Sequence, residues 1–576
     1  MSQLRVPWPR PHRHSRHLRG SRTVLAFAGL ALFMLLGIFY YSSSSPRSRL
    51  LDDPSFPAPI DTSDDVDVNK PVDSPALHVL IPIHSRRITK CQTVTSAMLS
   101  KYPPVTFIKS RSSETESHSS EEDDSRSPDR EWIEGVLSFL SNSTRVHDDD
   151  LVLVNSGGSL FFQLARNILV DRFYETLREH NKRLRWLYGT KGKSGQKFTQ
   201  RVLFAATKDC ALNITHDPLC FGVPPSTLEP DKYGFKTDLV PELRRPRWLE
   251  ADVVMGKVAD VRRLYEGVLK GLVLYDTLGI EANASAMLTE MYGNQEIARE
   301  LERRRTSNRF IEWLRGVIGI SLATNITDVD TPADVARSFR DGSDGPRVFP
   351  HEYGIGLDYT WRLFFTTKLS ASDLVQLRYR DVEKAASVQM WHGVARPVRL
   401  TLPTDIERKS PNPFKSSNST YESISLFWGP PLESLDALPP ASNFSWNDLP
   451  LITNVVTGNV PPVLHIPPDQ KEVSLWRGLW FQGWARALVR AAERENAVVA
   501  QMHDGHPLEF ADLCGKHAEA LFQDGRGVWG KEEESEVAMT QPVYDQFGTL
   551  IAGNGPEVLP GSEKKEDEDR WYRMYD

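Results

Sequence analysis

Leu77–Ile83 reads LHVLIPI, and the residues after it decide the fold. The run is apolar and of strand length. Thr89–Leu99 (TKCQTVTSAML) has the length of a helix, and Val105–Ile108 (VTFI) is a second strand after Tyr102, Pro103 and Pro104. This is a β-α-β opening, and the alternation continues. Trp132–Leu140 is helix-like, Asp150–Val154 (DLVLV) is a buried strand, and Leu164–Leu184 sets Leu169, Phe173 and Leu177 on one helical face with Val170 and Tyr174 beside it. Arg201–Ala206 (RVLFAA) is a further strand. Such alternation predicts an α/β domain with a mostly parallel sheet covered on both faces. Beyond it, Val258–Leu274 and Gln295–Arg305 are expected as helices, Ser387–Trp391 and Arg399–Leu402 as strands, and Trp476–Glu495 as one long amphipathic helix.

The N-terminal part has a different chemistry. Residues 1–22 carry arginines and no acid, and Thr23–Tyr41 (TVLAFAGLALFMLLGIFYY) carries no charge. At 1.5 Å per residue that run covers the ~30 Å hydrocarbon core. A cleaved signal peptide has an apolar core of only ~7 to 15 residues and a small-residue cleavage site, whereas this run ends in Phe39, Tyr40 and Tyr41. The expectation is one transmembrane helix, residues 23–41, with a cytosolic basic tail and the bulk in the lumen of the secretory pathway. Residues 42–75, rich in Ser, Pro and Asp, are expected as a flexible stem, 109–130 as a disordered acidic loop, and 531–576 as a loose acidic tail, leaving 77–530 as the folded domain. Six sequons lie beyond the span, at Asn142, Asn213, Asn283, Asn325, Asn418 and Asn443. The four cysteines allow three pairings, of which Cys210 with Cys220 is preferred for its short loop. A net charge of -7 gives no field for nucleic acid, which is excluded as a partner.

Several segments, taken in order, resemble fungal relatives of the family 25 glycosyltransferases and the sugar-transferring domain of lysyl hydroxylases. They are Asp150–Val154 with Phe161–Leu164; Val202–Cys210, then Cys220 and Tyr233–Asp238; Trp248, Leu249 and Gly256; Gly293, Gln295, Glu296, Ala298 and Arg299; Tyr353–Tyr359; and Pro461–His465 before Trp480 and Phe481. The resemblance spans roughly Leu77–Gly530. It implies a nucleotide-binding fold of the GT-A type, a Golgi or ER membrane location, and transfer of a hexose from a UDP-sugar to a protein or glycan hydroxyl. It also implies Mn²⁺ or Mg²⁺ held by carboxylates at the end of a buried strand, since a leaving diphosphate needs its charge neutralised.

At those positions the chain departs from the family. The Asp-x-x-Asp motif aligns with Asn155, Ser156, Gly157 and Gly158, so both acids are absent. Another expected acid, near Cys210, corresponds to Thr207. His465 stands where the family has a metal-binding histidine, but Ile466, Pro467 and Pro468 follow it. The candidate site is therefore Asn155, Gly157 and Gly158 for the cofactor, His465 for a metal, and Glu250 or Asp252 as substitute acids, of which at most one is expected to face the site. Asp148–Asp150 precede their strand and read as a solvated turn at its wrong end. Three readings follow: a hexosyltransferase with a lost or rebuilt metal site, an inactive module that binds a glycan or a partner glycosyltransferase, or an anchored scaffold whose cleft binds nothing.

Overall fold

In a computed structural model of the chain, residues 75–83, 87–108, 127–191, 195–210, 218–306, 351–381, 387–390, 400–414, 444–467 and 473–531 are described, with a few isolated positions and two short strands further on. The chain divides into Met1–Ser74 and Pro75–Asp576, and every described residue belongs to the second unit. The expected basic tail, membrane anchor and stem to residue 74 lie outside the described residues, as do Asn213, Asn325, Asn418 and Asn443. Among the described residues no helix is long and apolar enough to cross a membrane.

The β-α-β opening folds as its periodicity predicts. Strand β1 (Leu77–Pro82), helix α1 (Arg87–Leu99) and strand β2 (Val105–Ile108) are followed by helix α2 (Pro128–Leu140) and strand β3 (Leu151–Asn155). Ser127 caps α2, its hydroxyl accepting the Arg130 N–H at 3.3 Å, with a proline in the first turn. The acidic segment expected over 109–130 therefore gives way to helix at Pro128. Strand β4 (Ser159–Phe162), helix α3 (Arg166–Tyr188), β5 (Val202–Thr207), β6 (Trp248–Lys257), α4 (Val258–Thr277), α5 (Ala284–Thr306), β7 (Ile355–Asp358) and β8 (Phe364–Thr366) come next. After them come β9 (Leu374–Leu377), β10 (Leu451–Asn454), β11 (Val463–Ile466), α6 (Ala485–Glu495), β12 (Val498–Met502), β13 (Pro507–Glu509) and α7 (Phe510–Cys514).

The main sheet has the order β13-β12-β2-β1-β3-β6-β5-β7. Strands β12, β2, β1 and β3 run parallel, as do β5 and β7, while β6 is antiparallel to both neighbours and β13 to β12. A mostly parallel α/β sheet is thus present, with the parallel run interrupted at β6. Helix α1 packs on one face with Cys91 and Val94, and α2 on the other with Trp132, Ile133 and Val136. Sheet order reverses at β1: the chain leaves it through α1 to β2 on one side and returns through α2 to β3 on the other. Open α/β sheets place ligands at such a reversal, outside the C-terminal ends of the strands. A second sheet, β8-β11-β4, covers the α1 face of the main sheet.

Three expectations are corrected. Trp476–Glu495 is not one helix: Val473–Arg477, a 3-10 turn at Gln482–Trp484 and α6 are separate, because Gly478 and Gly483 interrupt it and Trp476, Trp480 and Phe481 are all drawn into the core. Ser387–Met390 is helical, and Leu400–Leu402 is irregular. The tail beyond 531 contains a small antiparallel pair, Val543–Tyr544 with Leu550–Ala552. The preferred disulfide Cys210–Cys220 forms, and Cys91–Cys514 ties α1 to α7 across 423 residues of chain.

Candidate functional site

At the reversal point β3 ends in Asn155, and Ser156–Gly157–Gly158 turn the chain into β4 of the second sheet. Four hydrogen bonds hold this turn. Asn155 Nδ2 donates to the Gly158 carbonyl at 3.4 Å, the Ser156 N–H donates to the Asp252 carbonyl at 2.9 Å, and Ser156 Oγ donates to Asp252 Oδ1 at 2.9 Å. His465, paired with Leu160 across β11 and β4, places Nε2 3.0 Å from the Gly157 carbonyl. A carbonyl only accepts, so Nε2 carries the hydrogen and donates it. The same nitrogen is 3.7 Å from Asp252 Oδ2.

Gly158 has φ +72°, and a Cβ there would stand 2.2 Å from the Ile466 carbonyl oxygen and 2.9 Å from His465 Nε2. Only glycine fits, because the left-handed backbone and the strand alongside both exclude a side chain. Gly157 is looser: its Cβ would make an ordinary contact, 3.4 Å from Asp252 Oδ1.

Glu250 and Asp252 both face this place, contrary to the expectation that at most one would. Residues two apart on a strand share a face. Here a bulge in β6 also shifts its register against β5, from Phe204 opposite Val254 to Ala205 opposite Glu250. Burial pushes the Glu250 carboxyl above its usual range, and the neighbouring Asp252 charge pushes the same way; His465 and Lys368 oppose them. Cross-strand register puts Asn155, Glu250 and Thr207 on one face of the sheet, the one that packs Leu153, Leu203 and Ala205. Each carries a buried oxygen without a hydrogen-bond partner: Asn155 Oδ1, Glu250 Oε2 and Thr207 Oγ1. Leaving a buried polar atom unpaired costs about 1 to 3 kcal/mol, so three at this end of the adjoining strands β3, β6 and β5 point to a polar ligand or ordered water.

The set does not fit a hard divalent cation, which takes about six oxygen ligands at ~2.0 to 2.6 Å. His465 Nε2 presents a hydrogen instead of a lone pair, Asp252 Oδ1 is engaged by Ser156, burial favours neutral Glu250, and Gly158 offers nothing. Among the described residues no three His, Cys, Asp or Glu side chains group so as to hold a metal.

The other expected positions are accounted for. Asp148 and Asp149 pair with Arg262 and Lys257 at the opposite end of β3. Asp150, expected to be solvated, is buried there and accepts from the Ala76 and His147 N–H groups at 3.1 and 2.9 Å. Asn142 and Asn283 are exposed, as glycan acceptors must be. A cleft between α3 and α5, lined by His180, Arg183, Gln200 and Glu296, is a rival place for a ligand. Its polar groups are largely consumed internally, with Glu296 paired to Arg299 and Gln200 to His180.

Two neighbours of the candidate site escape sequence reading. In sequence Ser156 reads as a filler ahead of two glycines, yet it holds Asp252. Lys368 follows β8, remote in sequence from everything it approaches, and no motif marks it. No protein-family model matches this chain, and no curated protein is significantly similar to it.

Proposed function

We propose that the Pro75–Asp576 unit is the sugar-nucleotide-binding domain of a membrane-anchored, luminal hexosyltransferase that uses a UDP-sugar and a protein or glycan hydroxyl. The observation that carries this reading is the set of unpaired buried oxygens on Asn155, Thr207 and Glu250, beside the Glu250 and Asp252 carboxyls, at the sheet's reversal point. Sugar hydroxyls and a uracil ring offer the donors and acceptors such atoms lack. In transfer the acceptor oxygen bonds to the anomeric carbon, the bond from that carbon to the diphosphate oxygen breaks with its electron pair leaving on the diphosphate, and the acceptor proton passes to Asp252. Asp252 fits that role because Ser156 fixes its orientation through Oδ1 and its side chain is partly exposed. Two disulfides and the exposed sequons at Asn142 and Asn283 support an oxidising, glycosylating compartment.

A second reading, a module that binds a glycan or partner glycosyltransferase without catalysis, is favoured by the hydrogen bonds already engaging Asp252 and His465. Calorimetry of the full chain in detergent with UDP, followed by a UDP-sugar turnover assay, separates them. Binding with turnover supports transfer, and binding without turnover supports the module. Absence of UDP heat in EDTA and in Mn²⁺ alike refutes the sugar-nucleotide reading.

A further inference from the structure

Resting on the luminal compartment of the reading above, we propose that an oligosaccharide on Asn283 lies over an apolar patch at the end of α4 and is the group that covers it.

The patch follows from how α4 stops. Gly279, with φ +67°, ends the helix, donating its N–H to the Asp276 carbonyl at 3.1 Å while the Ile280 N–H donates to the Tyr275 carbonyl at 2.9 Å. This pairing satisfies the last carbonyls and turns the chain back. Leu274 and Leu278, four apart, share one side of the final turn, and it is not the side on which Val261, Leu264, Val268 and Leu272 enter the core. Leu274, Leu278 and Ile280 are 56, 61 and 47% exposed. A single exposed leucine needs no explanation, but of the ten large hydrophobic residues exposed among the described residues, these three and Val273 fall within residues 273–280.

The sequon stands against this patch. Adjacent residues of α2 hold both sides of the connection between α4 and α5: Arg130 Nη1 pairs with Asp276 Oδ2 at 3.4 Å, and Asp129 Oδ2 accepts the Ala284 N–H at 2.7 Å. Tyr275 Oη donates to Glu290 Oε2 at 3.0 Å, so the two helices stay together beyond the connection. Asn283 is thereby set beside the last turn of α4 in space as well as in sequence.

Asn283 also caps α5, its Oδ1 accepting the Ala286 N–H at 2.7 Å and its carbonyl the Met287 N–H at 3.1 Å. The cap fixes the side chain through Oδ1 and leaves Nδ2, the atom that bonds to the first sugar, without a partner among the described residues. A glycan there is rooted on an immobilised side chain. Pyranose rings present faces of C–H groups, and laying these on aliphatic side chains removes both from water. So bulky a group at Asn283 keeps a second protein surface off the patch, which makes carbohydrate the occupant and not a partner chain.

The test is hydroxyl-radical footprinting of the full chain, made in a glycosylating host and purified in detergent, read by peptide mass spectrometry that also reports sequon occupancy. Ser285→Ala removes the sequon and keeps both the Asn283 cap and the Ser285 carbonyl that accepts the Thr289 hydroxyl at 2.9 Å. Thr144→Ala, which removes the Asn142 sequon at the opposite end of α2, is the control. The expected result is an occupied Asn283, with oxidation of Leu274, Leu278 and Ile280 at least doubled in Ser285→Ala and in wild type trimmed by an endoglycosidase, and unchanged in Thr144→Ala. Oxidation of the buried Leu288 stays at the wild-type level throughout, which shows that the fold is kept. Asn283 empty while another sequon is occupied overturns the proposal and leaves the luminal reading standing, as does equal oxidation of the patch with and without the sugar. Glycan on none of the six sequons removes both.

Discussion

Gly158→Ala tests the site's architecture most directly. The backbone at 158 has φ +72°, which costs a non-glycine residue about 1 to 2 kcal/mol. The added Cβ would lie 2.2 Å from the Ile466 carbonyl oxygen, which belongs to a strand and cannot swing aside as a side chain would. Relief requires β4 and β11 to part at Ser159 and Ile466, and that separates His465 Nε2 from the Gly157 carbonyl. Stranding that buried donor costs about 1 to 3 kcal/mol. The sum is about 2 to 5 kcal/mol, or roughly 2 to 5 °C in melting temperature for a unit of this size. Gly157→Ala is the control: its Cβ meets Asp252 Oδ1 at an ordinary 3.4 Å, and the expected loss is below about 1 kcal/mol. Thermal unfolding of both variants, followed by near-UV circular dichroism, reads the difference. Equal melting temperatures for the two alanine variants would refute the reasoning. So would Gly158→Asp folding normally and binding Mn²⁺, since that acid is argued to have no room.

Two further outcomes are expected. Glu250→Gln removes a carboxyl whose folded-state pKa is raised by burial and by Asp252. Its favourable contribution is full below the unfolded value near 4.5 and is lost as pH rises through the raised folded value, so the variant's stability declines less steeply with pH above 4.5 and at neutral pH equals or exceeds the wild type's. Chemical denaturation across pH 4 to 8 checks this, and parallel pH profiles would count against it. Replacing Cys91 and Cys514 together by alanine opens a link between residues 423 apart and is expected to cost about 2 to 5 kcal/mol. A double variant melting with the wild type under non-reducing conditions would contradict that link.

Much of the main sheet was legible because β1, β2, β3 and β5 are continuous apolar runs, and a strand buried on both faces needs no alternation to be recognised. Strand β6 was legible around Glu250 and Asp252, but its bulge was not, and with it the facing of both acids toward one place. The second sheet was hidden for another reason. Its members are three or four residues long, and the pairings of Phe364 with Val463 and Val463 with Phe162 join strands far apart in the chain. No periodicity exists in a run that short. The site inherits both blind spots: Asn155, Gly157, Gly158 and His465 were reachable through the family resemblance, while the hold of Ser156 on Asp252 exists only once β3 and β6 pair.

Decay and reconstruction of a cation site leave different traces at the atoms that remain. A site that has merely lost its acids keeps the strand ends and carbonyls that faced the cation, now without partners, and those unpaired groups are a standing cost. Here the carbonyls of the turn are satisfied: Gly157 by His465, Gly158 by Asn155, and Asp252 by the Ser156 N–H. The unpaired atoms, Asn155 Oδ1, Thr207 Oγ1 and Glu250 Oε2, share the face on which the second sheet packs. Satisfied carbonyls at the turn, beside polar atoms left open on β3, β6 and β5, put the place for a polar ligand or ordered water at those atoms and not at the turn.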